Sequence, residues 1–353
     1  MNKTKISAQV VADSLSPQGD RLTSLLITFP RIILSELLTH RMLSKNTSSS
    51  RAIPFNKMVE SVQNDPFVPI AWQKHHSGMQ GNEYHTGEGN VGDINYKARA
   101  ERNWLRARDF AVEQAKHLYE DSLVTKQLSN RLLEPFMWTT MLITGSKEGW
   151  DNFFNLRCPQ YQLGKNFFKS KKDWKKFYEE SIDMVGQTDD KTPLFWLRMN
   201  KGQAEIHIMD LAEKIYDAMN ESTPNQLEVG EWHIPFVQNL DLIELAKLYP
   251  DADDFQKVCV KISTAMSART SYTVVGEERD IDYEKMIGLH DRLLTQDPPH
   301  SSPMEHCARA MDEVEYTSSK ATGYTRKGKD QYGWCRNFKG FIPYRHIIET
   351  QNE

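Results

Sequence analysis

Apolar and polar positions alternate along two stretches near the N-terminus. Ile6 to Leu15 and Arg21 to Phe29 flank the turn cluster Ser16-Pro17-Gln18-Gly19-Asp20, a pattern that predicts two neighbouring strands. Pro30 then opens a predicted helix, with Leu34, Leu38 and Met42 at i, i+4 and i+8 beside Ile33 and Leu37. This helix runs into a polar loop from Ser44 to Arg51. Residues 73 to 95 hold many Gly, Asn and His and read as a long loop. A helix over 97–120 carries Trp104, Ala107, Ala111, Ala115 and Leu118 on one face. The stretch 131–157 is apolar and aromatic and is expected to be buried. Residues 159–201 read as an insertion bearing a lysine cluster, Lys169 to Lys176. A helix over 203–219 aligns Ile208, Leu211, Ala212, Ile215 and Met219, and further helices are expected near 240–249 and 283–296. No internal repeat or Gly/Ser linker divides the chain. The expectation is one domain over 1–353, with helix exceeding strand and 159–201 inserted within it.

Composition supports a folded core. The 353 residues are 39% hydrophobic and 26% charged, with 8 Trp, 13 Tyr and 15 Phe to pack. A net charge of −4 means that contact with nucleic acid would need a local patch. The longest apolar candidate, Ile32 to Leu38, is broken by Ser35 and Glu36, so no membrane span is expected. The N-terminus lacks a secretory h-region. Cys158, Cys259, Cys307 and Cys335 show no CxxC spacing, which weakens zinc and redox-pair readings and favours reduced thiols and a cytoplasmic location.

The chain has no Walker loop, GxGxxG, HExxH or GxSxG motif. Its densest chemistry is Thr39-His40-Arg41-Met42-Leu43-Ser44-Lys45-Asn46-Thr47-Ser48-Ser49-Ser50-Arg51. Guanidinium forks match phosphate oxygens, and hydroxyls with loop N–H groups complete an anion cradle. Taken alone, the same residues also describe a Ser-rich surface loop with cations at a helix C-terminus.

This segment resembles the signature of the flavin-dependent thymidylate synthases, Arg-His-Arg followed by Ser, Asn and Ser-x-Arg. His40, Arg41, Ser44, Asn46, Ser49 and Arg51 stand in register. Thr39 replaces the first Arg, Thr47 a common Glu, and Ala52 a usual aromatic. Asn130-Arg131-Leu132-Leu133-Glu134-Pro135 looks like the family's Ala-Arg-x-x-Leu-Pro. Asn152-Phe153-Phe154-Asn155-Leu156-Arg157 matches Asn-x-x-x-Leu-Arg. Gly202-Gln203-Ala204-Glu205-Ile206 is similar to the Ala-Gln-x-Glu-Ile that nearly abuts it in the family; here the 159–201 insertion parts the two. Ser267-Ala268-Arg269-Thr270-Ser271 and His300-Ser301-Ser302-Pro303-Met304-Glu305-His306 look like the family's first two motifs, yet they come last, as in a circular permutation.

The resemblance implies an α/β (α+β type) fold with a mostly antiparallel central sheet flanked by helices, circularly permuted. It implies reductive methylation of dUMP to dTMP, with FAD as cofactor and NADPH and methylenetetrahydrofolate as co-substrates, in a homotetramer with sites shared between subunits. It places His40, Arg41, Asn46, Asn152, Ser271, His300 and Ser302 against the flavin. It places Ser49, Ser50, Arg51 and Arg131 around the dUMP phosphate and sugar. Arg157 falls on the uracil ring, where a permanent cation stabilises enolate-like charge. A variant trapping the same intermediate with water would yield hydroxymethyl-dUMP.

Each position also has a plain structural alternative. Arg131 and Arg157 could form ion pairs, His306 could be a hydrogen-bonded core histidine, Glu305 could cap a helix and Asn152 could close a turn. Cys158, beside Arg157, could be a thiolate nucleophile or an inert buried cysteine, the latter preferred. His75, His76 and His85 lack a completing carboxylate pair or cysteine, so no metal is expected and the loop reads as a lid. A rival reading is a single-strand nucleic-acid binder using Lys169 to Lys176 with Phe167, Phe168, Trp174 and Phe177, and Arg326 to Lys339 with Tyr332, Trp334 and Phe338. Against it, the negative net charge favours two solvated faces with aromatic anchors. Trp334 to Phe338 would alternatively meet a folate tail. A third reading is a homologue that binds nucleotide without turnover.

Overall fold

The computed structural model describes residues 3–78, 81, 83–85, 95–181, 192–273, 275, 281–297, 299–319 and 332–351. Strands β1 (Ser7–Leu15) and β2 (Arg21–Pro30) form the expected antiparallel pair. A short 3-10 turn, Arg31–Ile33, leads into α1 (Leu34–Leu38). The helix predicted to reach Met42 stops there, because Thr39 Oγ1 donates back to the Glu36 carbonyl at 2.6 Å and His40 turns into the core. The Ser44–Arg51 segment, expected as loop, begins with strand β3 (Ser44–Thr47). Its four polar residues carry no period-2 signal, and pairing with a neighbour makes them a strand.

Helices α2 (Phe55–Asn64) and α3 (Tyr96–Lys116) follow, the first not among the expected helices although Phe55, Met58, Val59 and Val62 fall at i, i+3, i+4 and i+7, and the second close to expectation. Helix α4 (Lys126–Ser129) and a 3-10 segment, Asn130–Phe136, lead into β4 (Trp138–Ser146) and directly into α5 (Lys147–Arg157). The insertion folds as a hairpin, β5 (Tyr161–Leu163) and β6 (Asn166–Phe168), with α6 (Lys171–Ser181) and α7 (Pro193–Met199). Its buried Tyr161, Trp174 and Trp196 form a small core of their own. Then come α8 (Ile206–Glu221), β7 (Asn225–Gln226), β8 (Trp232–His233), α9 (Leu242–Leu248), α10 (Ala252–Arg269) and α11 (Tyr283–Thr295). The chain closes with β9 (Ala308–Ala310), α12 (Glu313–Ser318), β10 (Trp334–Cys335), β11 (Phe338–Lys339), β12 (Phe341–Pro343) and α13 (Tyr344–Gln351).

The central sheet has the order β3-β4-β2-β1-β7, antiparallel except for the β1–β7 pair. Alternation assigns its faces. Leu25, Ile27 and Phe29 of β2, with Met141 and Ile143 of β4, meet Trp150 and Phe153 of α5 and Ile208, Leu211 and Ile215 of α8. Leu142 and Val11 point the other way, onto Ile262, Ala265 and Met266 of α10. A sheet with helices on both faces is the α/β arrangement expected. No described helix is long and apolar enough to cross a membrane.

Candidate functional site

The edge strand β3 gathers the motifs. Opposite residues of an antiparallel pair share a face, so Asn46, across from Leu142, faces α10, while Lys45, across from Ile143, faces α5. On the α10 side, Asn46 Nδ2 donates to the Ser267 carbonyl and Ser271 Oγ donates to Asn46 Oδ1 at 3.3 Å. The Ser49 amide donates to the Ser271 carbonyl at 2.8 Å. These contacts join segments more than 200 residues apart in sequence. The 3-10 turn Ser302–Glu305 packs against the same strand and against α10.

On the α5 side lies a His–Arg pair. His40 is buried with its ring edge-on to Phe153, and Arg157 Nε donates to His40 Nε2 at 3.1 Å, which leaves the imidazole proton on Nδ1. Burial, reinforced by the Arg157 and Lys45 charges, lowers the His40 pKa to about 4, so the ring is neutral at pH 7. Arg157 ends α5 and has no carboxylate partner among the described residues; the ion-pair alternative does not apply to it. Lys45 Nζ donates to the carbonyls of His40 and Leu43, and burial lowers its pKa to about 8 despite the opposing Glu305 charge.

A second cluster continues from β3. Ser50 is buried, its Oγ donating to Glu134 Oε1 at 2.5 Å. Arg131 donates to the same oxygen at 3.0 Å and Arg31 lies 3.4 Å from it. Asn130 Nδ2 donates to the carbonyls of Ser50 and Ile53, at 2.6 and 3.0 Å, which fixes the Ser-rich loop. Arg51 is exposed and donates to Gln127 Oε1 at 3.3 Å, one turn before Arg131. Two guanidiniums therefore rim one surface next to the Ser49–Ser50 backbone. Ser50 acts there through the loop's shape rather than by offering its hydroxyl to solvent.

The remaining positions separate by exposure. Arg41 and His300 are exposed, Ser302 and Asn152 half-buried. Asn152 lies inside α5 and closes no turn. Glu305 caps no helix; it pairs with Arg345. His306 is the core histidine of the plain alternative, its Nδ1 2.8 Å from Thr144 Oγ1. Sequence reading missed Lys45, Glu134 and Arg31, whose roles arise only from contacts across the fold. Burial pushes the Cys158 thiol up, the opposite of what a nucleophile needs.

The basic-aromatic segments are largely neutralised. Lys169 bonds Asn155, Lys171 bonds Glu213 and Lys172 pairs with Glu221. Trp334, Phe338 and Lys339 are buried, Lys339 between Asp20 and Glu148, while Arg326 to Gln331 lie outside the described residues. This corrects the expectation of a second solvated face and removes these side chains from any folate-tail contact. In the His-rich loop Gln73 bridges Tyr84 and His85 stacks on Tyr96; Met79, Gln80 and 86–94 lie outside the described residues. The described residues include no His/Cys/Asp/Glu group able to hold a metal ion.

No known family's sequence profile matches this chain, and no curated protein does. Among solved structures it is similar to a UMP/dUMP methylase, PolB, from Streptomyces cacaoi bound with 5-Br dUMP, at 13% identity and a TM-score of 0.40, over 62% of this chain and 92% of the other. It is also similar to the flavin-dependent thymidylate synthase ThyX from Helicobacter pylori complexed with FAD and dUMP, at 16% identity and a TM-score of 0.28, over 56% and 67%. At these scores the superpositions add no weight to the side-chain geometry.

Proposed function

We propose that this chain is a flavin-dependent enzyme that methylates dUMP at C5 to give dTMP, using methylenetetrahydrofolate as carbon donor and NADPH as reductant. One observation carries the reading: Asn46 ties the His40–Arg51 segment to Ser267–Ser271, so motifs at opposite ends of the chain meet at one strand in the combination that the resemblance requires. The late position of the last two motifs fits a circular permutation.

The residues present suit an anionic nucleotide and a flavin. Exposed Arg51 and Arg131 would hold the phosphate, beside a Ser-rich loop that Asn130 fixes by donating to the Ser50 carbonyl and Ser48 by accepting from the Thr140 amide. Arg41, His300 and Ser302 offer groups toward FAD, and Asn46 and Ser271 hold the backbone beside it. Bound FAD would supply hydride transfer. Arg157 is oriented by His40, and its fixed cation meets negative charge developing on the pyrimidine. Because His40 stays neutral, it positions the guanidinium without adding a competing charge. Thr39 ends α1, so the cation expected there must come from elsewhere on this face. The exposure of Arg41, Arg51 and Arg131 suits completion of the site by a second copy, hence a homo-oligomer.

The test is the absorbance spectrum of the purified protein, alone and with added FAD and dUMP. Bound flavin bleached by NADPH, with dTMP formed, is the expected result. Hydroxymethyl-dUMP as product would keep the flavoenzyme and change the final step. Absence of flavin under all these conditions would overturn the reading and leave nucleotide binding without turnover.

A further inference from the structure

Described residues of the insertion, of the stretch from Ile70 to Tyr84 and of the start of α8 line a two-lobed cleft that holds none of the residues assigned to flavin or dUMP. One lobe, about 260 Å³, is mainly apolar, walled by Ile70, Tyr161, Trp196, Ile206 and Met209, with Lys171 and Asp210 also lining it. The other, about 240 Å³, is polar, with Gln73, Tyr84, Gln203 and Glu205. The lobes share Leu197, Asn200 and Met209. Each is close to the lower end of small-molecule sites, which span roughly 300–1,000 Å³.

The cleft is a built feature. Asn200 Oδ1 accepts from the amides of Gln160 and Gly202 at 2.9 and 2.8 Å. The Ile70 amide donates to His207 Nε2 at 3.1 Å, pinning the 70-segment to α8. Tyr161 Oη and Lys171 both donate to Glu213, at 2.9 and 2.8 Å, which occupies the lobe's cation internally. Asp210 differs: it is half-buried and makes no hydrogen bond among the described residues, and burial raises its pKa against the opposing charges of Lys214 and Lys171. A carboxyl placed so, beside aromatic and aliphatic walls, lacks donors that a ligand could bring.

We propose that this cleft binds a planar heterocycle with adjacent ring N–H and exocyclic amino donors, the ring seated in the apolar lobe and both donors on the Asp210 carboxylate. Guanine and pterins share this edge; a pterin seated here is the ring of the folate that the proposed reaction uses, so that arm rests on the proposed function. The polar lobe, rich in amides, takes the ring's polar substituent. A carboxylate accepting two parallel N–H groups discriminates strongly against analogues that lack one.

Binding of guanosine, inosine and 6-hydroxymethylpterin to the full-length protein is measured by calorimetry without flavin or dUMP, so binding to the cleft is read apart from turnover. Saturable binding of guanosine or the pterin is expected, and the tighter of the two identifies the source of the ring. Inosine, lacking the amino group, should bind at least about 10-fold more weakly than guanosine, and Asp210→Ala should weaken the better ligand by about 10-fold or more. Asp210→Asn, nearly isosteric, should weaken it similarly while keeping the native circular dichroism. No saturable binding of either probe, or affinity unchanged in both folded Asp210 variants, would overturn the proposal.

Discussion

At the residue scale, Arg157 and its neighbour Cys158 behave as opposites. The two are adjacent in sequence, yet the guanidinium reaches His40 at the surface end of the core while the thiol is buried within it. Replacing Arg157 by Ala should lower kcat on dUMP by about 10²–10³-fold, the usual loss for one group opposite developing charge. The same change removes a cation beside His40, so the His40 pKa should rise from about 4, as read by NMR titration. Cys158→Ala should leave turnover within about twofold; a collapse of activity would restore covalent catalysis through that thiol. The Arg-type residues were legible from spacing. Their partners were not, because Glu134 and His40 are reached only by contact across the fold.

At the scale of elements, β3 is the junction. A strand of Ser, Lys, Asn and Thr looks like loop in sequence because it sits at a sheet edge with few apolar positions to bury. Asn46 supplies the link from that edge to the C-terminal end of α10. Asn46→Ala should cost about 1–3 kcal/mol, the range for stranding a buried hydrogen-bond partner, and should weaken flavin retention more than Arg131→Ala does. Thermal melts and flavin titration read the two effects separately. A loss of flavin with an unchanged melting temperature would show that Asn46 touches the ligand itself. The long helices α3, α8 and α11 were readable from their periodicity. Helix α2 carries the same kind of stripe at Phe55, Met58, Val59 and Val62 and was passed over, while α10 was seen only as a motif near its end; α10 is buried along much of its length, which blurs a one-sided pattern.

At the scale of the whole molecule, four histidines inside the fold shape its response to acid. Burial lowers His40 and His233 to about 4 and His306 to about 3, from an ordinary 6.5, and lowers His290 as well. His233 and His306 stand at two positions of one buried polar chain, Ser14–His233–Ser24–Thr144–His306. Below about pH 6.5 the unfolded chain takes up protons that the native state refuses, so stability falls as pH falls and levels off near pH 3, below the lowest native value. The slope should reach about three protons from His40, His233 and His306, each about 1.4 kcal/mol per pH unit, with His290 adding in the same direction. Urea melts between pH 7 and 5 check this, and His306→Asn should remove about one proton from the slope whatever its absolute stability. The order of the elements and the motif register were set by local spacing: alternation, helical period and the positions of Arg, Asn and Ser are properties of nearby residues. Which motifs meet, that Arg157 meets His40 and no carboxylate among the described residues, that Ser50 and Cys158 are buried, and that the insertion lines a cleft were decided by tertiary structure. Those outcomes depend on contacts between residues far apart in sequence, whose distances no local pattern contains.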